Sequence, residues 1–246
     1  MDRKTYIKNI YSRYWIEARE KEYGFLEYDK NLCNYILKNL KKNSNILEVA
    51  IGTGFPFGDY FQNNGYKVYG VDIASILIEK CKKLNPDINC KIGDAENLEY
   101  PDNFFSCTYC FHSTSYFTDL IKSIDEMIRV TTPNGIIIFD IQNRNNKDII
   151  QNYNKMVLYK SNGLLRRLIR FAKNITKIIL RKGVADWTDV VHEIPTYPEI
   201  IYQYLKKSKI KNYKIMVKSS SNDNLENKSK NDSFKDYSKI VFVLFK

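Results

Sequence analysis

Apolar residues recur along this chain with two different periods. Short runs at 45–50, 67–72, 89–93, 105–111, 135–141, 213–217 and 240–245 are continuous or alternating and rich in Ile, Val and Phe. Runs of that length and composition read as strands. Between them, 73–84 and 120–130 repeat apolar positions at helical spacing. Alternation of this kind predicts an α/β fold, a Rossmann-like seven-stranded, mostly parallel sheet with helices on both faces. The last two strands are separated only by the polar run SSSNDNLENKSKNDSFKD. That predicts a hairpin and one antiparallel edge strand. Two helical segments, 5–23 and 28–41, precede the first strand, so residues 1–43 form an N-terminal helical cap. The interval 143–186 is too long for a connection in a compact sheet and predicts a helical insertion or lid. The 246 residues suit one domain, 1–246.

The run ILEVAIGTGF, Ile46 to Phe55, is a buried strand entering a glycine turn, where backbone can approach a ligand closely. No Lys-Ser or Lys-Thr follows Gly54, which excludes a phosphate loop. The dinucleotide fingerprint needs a third glycine where Phe57 stands, and Gly58 comes one residue late. Three acids, Glu48, Asp72 and Asp94, fall at or near three successive strand ends. Glu48 would repel a pyrophosphate and attract a cation. The set suits a ligand with ribose, adenine and a positive charge. Asp72 and Asp94 also read as helix N-caps, and a glycine turn can hold nothing at all.

Composition changes this picture little. Apolar residues make up 43%, as in a globular protein. The first residues have no apolar h-region, and no apolar run reaches the ~18 residues of a membrane span. The five cysteines are irregularly spaced, which fits a reducing, cytoplasmic setting. Cys107 and Cys110 form a CxxC, but they lie in the strand FFSCTYCF without a partner pair and are expected in the core. The net charge of +11 is local: 160–182 carries eight basic residues and no acid, and the rest has 31 basic against 28 acidic. A uniformly basic nucleic-acid binder is excluded.

The runs NILEVAIGTG, VYGVDIA, CKIGDAENLEYPDNFFS and EMIRVTTPNGIIIF, in this order, resemble the class I S-adenosylmethionine-dependent methyltransferases, in their small-molecule, type 11-like branch. The resemblance covers about 45–142 and the two closing strands. It implies S-adenosylmethionine as cofactor. Glu48, Gly52 and Gly54 match the motif around the methionine part, with Ala50 in place of that motif's first glycine. Asp72, followed by Ile73, matches the ribose-binding acid. Asp94 and Ala95 match the adenine contact, and Phe111 the position whose backbone faces the methionine amino group. Tyr14, with Tyr11, is expected to cap the cofactor from the first helix or to pack on the sheet.

The acceptor is less legible. Only two histidines exist. His112 follows the fourth strand at the edge where ligands sit in open α/β sheets, and is a candidate proton acceptor. His192, beside Glu193, is a second candidate base with its orienter. No set of residues marks a metal site. The [DN]-PP-[YF] signature of base-amino methyltransferases is absent, and HSTSY stands there instead. The expected reaction is methyl transfer to an oxygen or nitrogen of a small-molecule acceptor, with a sugar, glycan or lipid-linked substrate as partner. The basic, amphipathic run 163–182 has three readings: a lid, a helix giving peripheral contact with the inner face of the membrane, or a nucleic-acid face. The lid leads, and nucleic acid ranks last for want of aromatics. An NAD-dependent oxidoreductase and an RNA methyltransferase are the alternatives. Oligomeric state is left open.

Overall fold

The computed structural model describes residues 3–5, 7–8, 24–161, 193–219, 223–229 and 233–246. The first of these, 3–5 and 7–8, are helical. Helix α1 (Glu27–Asn39) precedes the sheet, within the expected cap. Then come β1 (Asn45–Val49), α2 (Phe57–Asn63), β2 (Lys67–Asp72), α3 (Ser75–Leu84) and β3 (Asn89–Ile92). The second half of the sheet is β4 (Phe105–Cys110), a 3-10 turn (Thr114–Tyr116), α4 (Leu120–Val130) and β5 (Thr131–Gln142). Helix α5 (Lys147–Ser161) opens the expected insertion, and α6 (Pro198–Lys207) follows it. The rest of the insertion, 162–192, lies outside the described residues, and so do the basic run 163–182, Tyr11, Tyr14 and His192. The chain closes with β6 (Asn212–Ser219), β7 (Leu225–Lys228) and β8 (Tyr237–Phe245).

The strands form one sheet in the order β3-β2-β1-β4-β5-β8-β6-β7. Strands β3, β2, β1, β4 and β5 are parallel, as their helical crossovers require. The sheet has eight strands where the pattern predicts seven. The antiparallel strand β8 is not at the edge: it inserts between β5 and β6 and pairs with both. The edge belongs to the short β7, formed from the polar run read as loop. Its residues Leu225, Glu226, Asn227 and Lys228 carry too little apolar signal to read as a strand, and β6 supplies the pairing that makes them one.

Side-chain alternation divides the core into two layers. On one face Ile46, Cys107, Tyr109, Val241 and Val243 pack under α1, α2 and α3, through Leu32, Ile36, Phe61, Ile78 and Cys81. On the other, Leu47, Val49, Phe105, Cys110, Phe242 and Leu244 meet α4 and α6, through Ile124, Met127, Ile201 and Leu205. Cys107 and Cys110 therefore point to opposite layers, and all five cysteines are buried and free.

At Gly70 an added Cβ would lie 2.3 Å from Ile51 Cδ1 and 2.8 Å from its Cγ2. Ile51 follows β1 and donates its amide to Val71 O at 3.0 Å, so it cannot easily withdraw. Gly70→Ala is therefore expected to destabilise the fold by about 1–3 kcal/mol. The midpoint of a urea unfolding curve measures it, and an unshifted midpoint would show that Ile51 repacks freely.

Candidate functional site

A cleft opens at the carboxyl ends of β1, β2 and β4, where open parallel sheets bind ligands. Its wall includes Ala50, Gly52, Thr53, Asp72, Ile73, Asp94, Ala95, Glu96, His112 and Tyr116, with Lys4 and Ile7 from the N-terminal segment. Six of the predicted cofactor positions thus meet in one place: Ala50, Gly52, Asp72, Ile73, Asp94 and Ala95. Glu48, Gly54 and Phe111 do not line it. Period-two alternation puts Glu48 on the same face of β1 as Ile46, where it is 5% exposed and accepts from Tyr109 Oη at 3.0 Å. Gly54, at φ 87°, packs downward: a Cβ there would lie 2.8 Å from Asn85 Nδ2 and 3.1 Å from Cys81 Sγ. Phe111 stacks its ring edge on Phe57 at 5.1 Å.

The glycine turn is tied to β2 by Asp72. Its Oδ2 accepts from Gly52 N at 3.0 Å and its Oδ1 from Ala74 N at 2.9 Å. Its carboxylate stands on the cleft wall, where an acid can accept from a ribose diol. Ala50 sits at φ 64°, in the left-handed region. The alanine that replaces a glycine thus occupies the conformation that costs an L-residue most.

Asp94 does not start a helix. Its Oδ1 accepts from Glu96 N at 2.9 Å in a tight turn closed by a bridge from Asp94 to Asn97. Lys4 reaches across the cleft to Asp94 Oδ2 at 2.7 Å and Glu96 Oε2 at 2.6 Å. Partial burial pulls the Lys4 pKa down, but the two carboxylates outweigh it and hold the ammonium above its ordinary value. Glu96 also accepts from Thr118 N at 3.0 Å and Asp119 N at 2.8 Å, fixing the entry to α4. Arg3 donates to Ser115 O at 3.0 Å. Lys4 and Glu96 are residues that sequence reasoning misses. Glu96 has a signal, as the acid after Ala95 in GDAEN, whereas Lys4 has none.

Beyond the cofactor side lies a polar cluster. His112, at φ 58°, donates its amide to Asp140 Oδ1 at 2.7 Å. Its Nε2 meets Asp29 Oδ1 at 2.6 Å, and its Nδ1 contacts Lys239 Nζ. An ammonium can only donate, so Nδ1 bears the lone pair and the proton is assigned to Nε2, facing Asp29. Lys239 also donates to Asp140 Oδ2 at 2.6 Å. Burial pushes the Asp140 carboxyl up, but Lys239 and the amide and ring of His112 more than offset this and hold it below the ordinary range. The His112 ring stacks on Phe57 at 5.9 Å. On the facing wall Tyr116 Oη donates to Glu193 Oε1 at 2.6 Å. Glu193 was expected to orient His192, which lies outside the described residues; here it holds a tyrosine of the cleft. Asp29, Asp140 and Lys239 come from α1, β5 and β8, and no local motif marks them.

Residues 47–139 match the family model described as a methyltransferase domain. The chain is 30% identical over 100 residues to a demethylmenaquinone methyltransferase of Paenarthrobacter aurescens, a match covering 41% of this chain and 39% of that protein. It is 27% identical over 94 residues to a malonyl-[acyl-carrier protein] O-methyltransferase of Yersinia pestis, covering 38% and 35%. The chain thus matches less than two fifths of the length of these curated relatives. Among solved structures, it resembles a SAM-dependent methyltransferase, possible histamine N-methyltransferase, of Thermotoga maritima. The TM-score is 0.57 and the identity 16%, over 91% of this chain and 90% of that one. An S-adenosyl-L-methionine-dependent methyltransferase of Methanococcus maripaludis gives 0.55 at 15% identity, over 99% and 93%.

The cleft fits S-adenosylmethionine on two observations: backbone of a strained turn at Ala50 and Gly52 borders it, and the Asp72 carboxylate stands on the same wall. Asp72→Ala is expected to weaken binding of the cofactor about 10- to 100-fold, equivalent to roughly 1–3 kcal/mol. Calorimetric titration reads it, and unchanged affinity would remove the ribose assignment. Ala50→Gly is expected to raise stability by about 0.5–1 kcal/mol, since relief of the left-handed strain exceeds the added chain entropy. Thermal unfolding measures this, and a lower midpoint would contradict it. The matched residues and the sheet around them lead to one statement: residues 47–139 match the model of a methyltransferase domain, and the chain has the fold of the S-adenosylmethionine-dependent methyltransferases it resembles.

Proposed function

We propose that this protein transfers a methyl group from S-adenosylmethionine to an oxygen or nitrogen of a small-molecule acceptor, with His112 taking the acceptor's proton. The observation that carries this reading is the Asp29–His112 pair, 2.6 Å apart, with His112 on the wall of the cleft at the end of β4.

When bound, S-adenosylmethionine supplies an electrophilic methyl on a sulfonium that is its own leaving group. The protein has to position the acceptor, exclude water and accept a proton. Asp29 holds Nε2–H and so aims Nδ1 as the basic atom. Lys239 covers that atom and must withdraw toward Asp140 as the acceptor enters. Proton uptake at Nδ1 leaves an imidazolium between Asp29 at 2.6 Å and Asp140 Oδ2 at 3.8 Å, which stabilise it. Tyr116, held by Glu193, lies on the opposite wall and can orient the acceptor.

The strand order argues against the dinucleotide alternative. An NAD fold of two parallel halves runs 3-2-1-4-5-6. Here an antiparallel strand follows β5 in the sheet. The acceptor is a sugar, glycan or lipid-linked molecule in this proposal. The relatives named for demethylmenaquinone and malonyl-[acyl-carrier protein] support a small or carrier-linked acceptor. Peripheral membrane contact remains tied to 163–182. No helix among the described residues is long and apolar enough to cross a membrane.

Titration with S-adenosylmethionine, S-adenosylhomocysteine and NAD tests the cofactor: the first two should bind and NAD should not. Binding of NAD alone would overturn the proposal. Transfer of labelled methyl into a panel of hydroxyl and amine acceptors tests the base. His112→Gln should lower kcat by about 10²–10⁴ with cofactor affinity unchanged. Asp29→Asn should lower kcat, because the imidazole loses the carboxylate that fixes its Nε2–H tautomer. A full-rate His112→Gln enzyme would remove His112 from the chemistry.

A further inference from the structure

Arg144 stands two residues beyond β5, on the carboxyl edge of the sheet that carries the cleft. Its guanidinium lies 4.8 Å from the ring centre of Tyr197 and 5.6 Å from that of Tyr153. The two rings hold the planar group in place from α5 and from the start of α6. Its Nε is buried and has no hydrogen-bond partner, and its guanidinium forms no ion pair among the described residues. Neighbouring carboxylates are engaged elsewhere. Glu199 Oε1 accepts from Asn145 Nδ2 at 2.8 Å, and Glu193 Oε1 from Tyr116 at 2.6 Å. A buried N–H without an acceptor is a cost that folding normally avoids, and its persistence at one place points to an absent partner.

Arg144 is also connected to the cleft. Its amide donates to Thr196 O at 3.1 Å, and Ile194 of the same segment donates to Ser115 O at 2.9 Å, next to the cleft residue Tyr116. Arg144 lies four chain steps beyond Asp140, which binds the His112 amide, so their Cα atoms are at most about 14 Å apart. An elongated acceptor can therefore reach both.

We propose that Arg144, clamped by Tyr153 and Tyr197, is an anion subsite that holds a carboxylate or phosphate group of the methyl acceptor. A guanidinium fork pairs with either oxyanion through two parallel hydrogen bonds. Placing this anion on the acceptor rests on the methyltransferase reading; the anion site itself does not. The acceptor class narrows to elongated molecules that carry an acid group away from the methylated atom.

The test reads the arginine Nε–H signals of the ¹⁵N-labelled full chain by NMR, with the Arg144 signal identified by its loss in Arg144→Lys. Sodium acetate and inorganic phosphate are titrated separately at constant ionic strength. The Arg144 signal should shift and saturate at millimolar concentration while the other arginine signals stay, and the tighter of the two anions names the group. No saturable shift, or an equal shift of all the arginine signals, meaning an adventitious ion only, would overturn the site. With acceptors that differ only in an acid group, Arg144→Gln should raise KM at least tenfold for the charged one and leave the neutral one and kcat unchanged. An equal effect on both would detach the site from the acceptor. Saturable Arg144 binding in a protein that transfers no methyl group would instead count against the proposed reaction.

Discussion

One buried carboxylate joins the parts of this molecule that must act together. Asp140 is 1% exposed, and its two oxygens serve the His112 amide, the Lys239 ammonium and the Tyr28 hydroxyl. Those groups belong to the loop after β4, to β8 and to α1. A charge so placed is tolerated only because Lys239 and several donors surround it, and loss of any one partner would leave the remainder uncompensated. The same interaction forces the backbone at His112 into a left-handed turn. That turn lifts the imidazole off the end of β4 and into the cleft, where Asp29 meets it. Structural constraint and candidate chemistry therefore share one ion pair.

The antiparallel insertion of β8 makes this arrangement available. A parallel strand beside β5 would present its own carboxyl end to the cleft, with a helix to follow. Strand β8 instead begins at the cleft, so Lys239 lies early in the strand and opposite Gln142. The sheet thereby supplies a cation at an edge otherwise furnished with acids: Asp72, Asp94, Glu96 and Asp140. The N-terminal segment supplies a second, Lys4, whose bridge to Asp94 and Glu96 binds that segment across the cleft. N-terminal segment and sheet are thus coupled across the cleft through a few charged pairs, each only partly screened from water.

How much of this could be read in advance depends on how local each signal is. Glycine, acid and apolar runs of β1 to β5 lie within one stretch, and each motif is a few residues long. They suffice to place Ala50, Gly52, Asp72, Ile73, Asp94 and Ala95 on one wall. Glu48 shows where the reasoning stops. Its position in the motif is clear, but its bond with Tyr109, which lies on the neighbouring strand β4, follows from strand pairing that the motif does not carry. The residues around His112 show the deeper limit. Asp29, Asp140 and Lys239 lie in separate elements at separations of 28 residues or more from His112, with no spacing rule to connect them.

The sequence by itself therefore determined the α/β architecture, the positions of the parallel strands along the chain and the cofactor edge, because periodicity and short turn motifs act over a few residues. Only the tertiary structure decided that β8 lies inside the sheet, that a polar run becomes the edge strand β7, and that Asp29, His112, Asp140 and Lys239 meet. Strand neighbours are chosen by packing and hydrogen bonding across the whole sheet, and long-range pairing of charges has no period for a linear reading to detect.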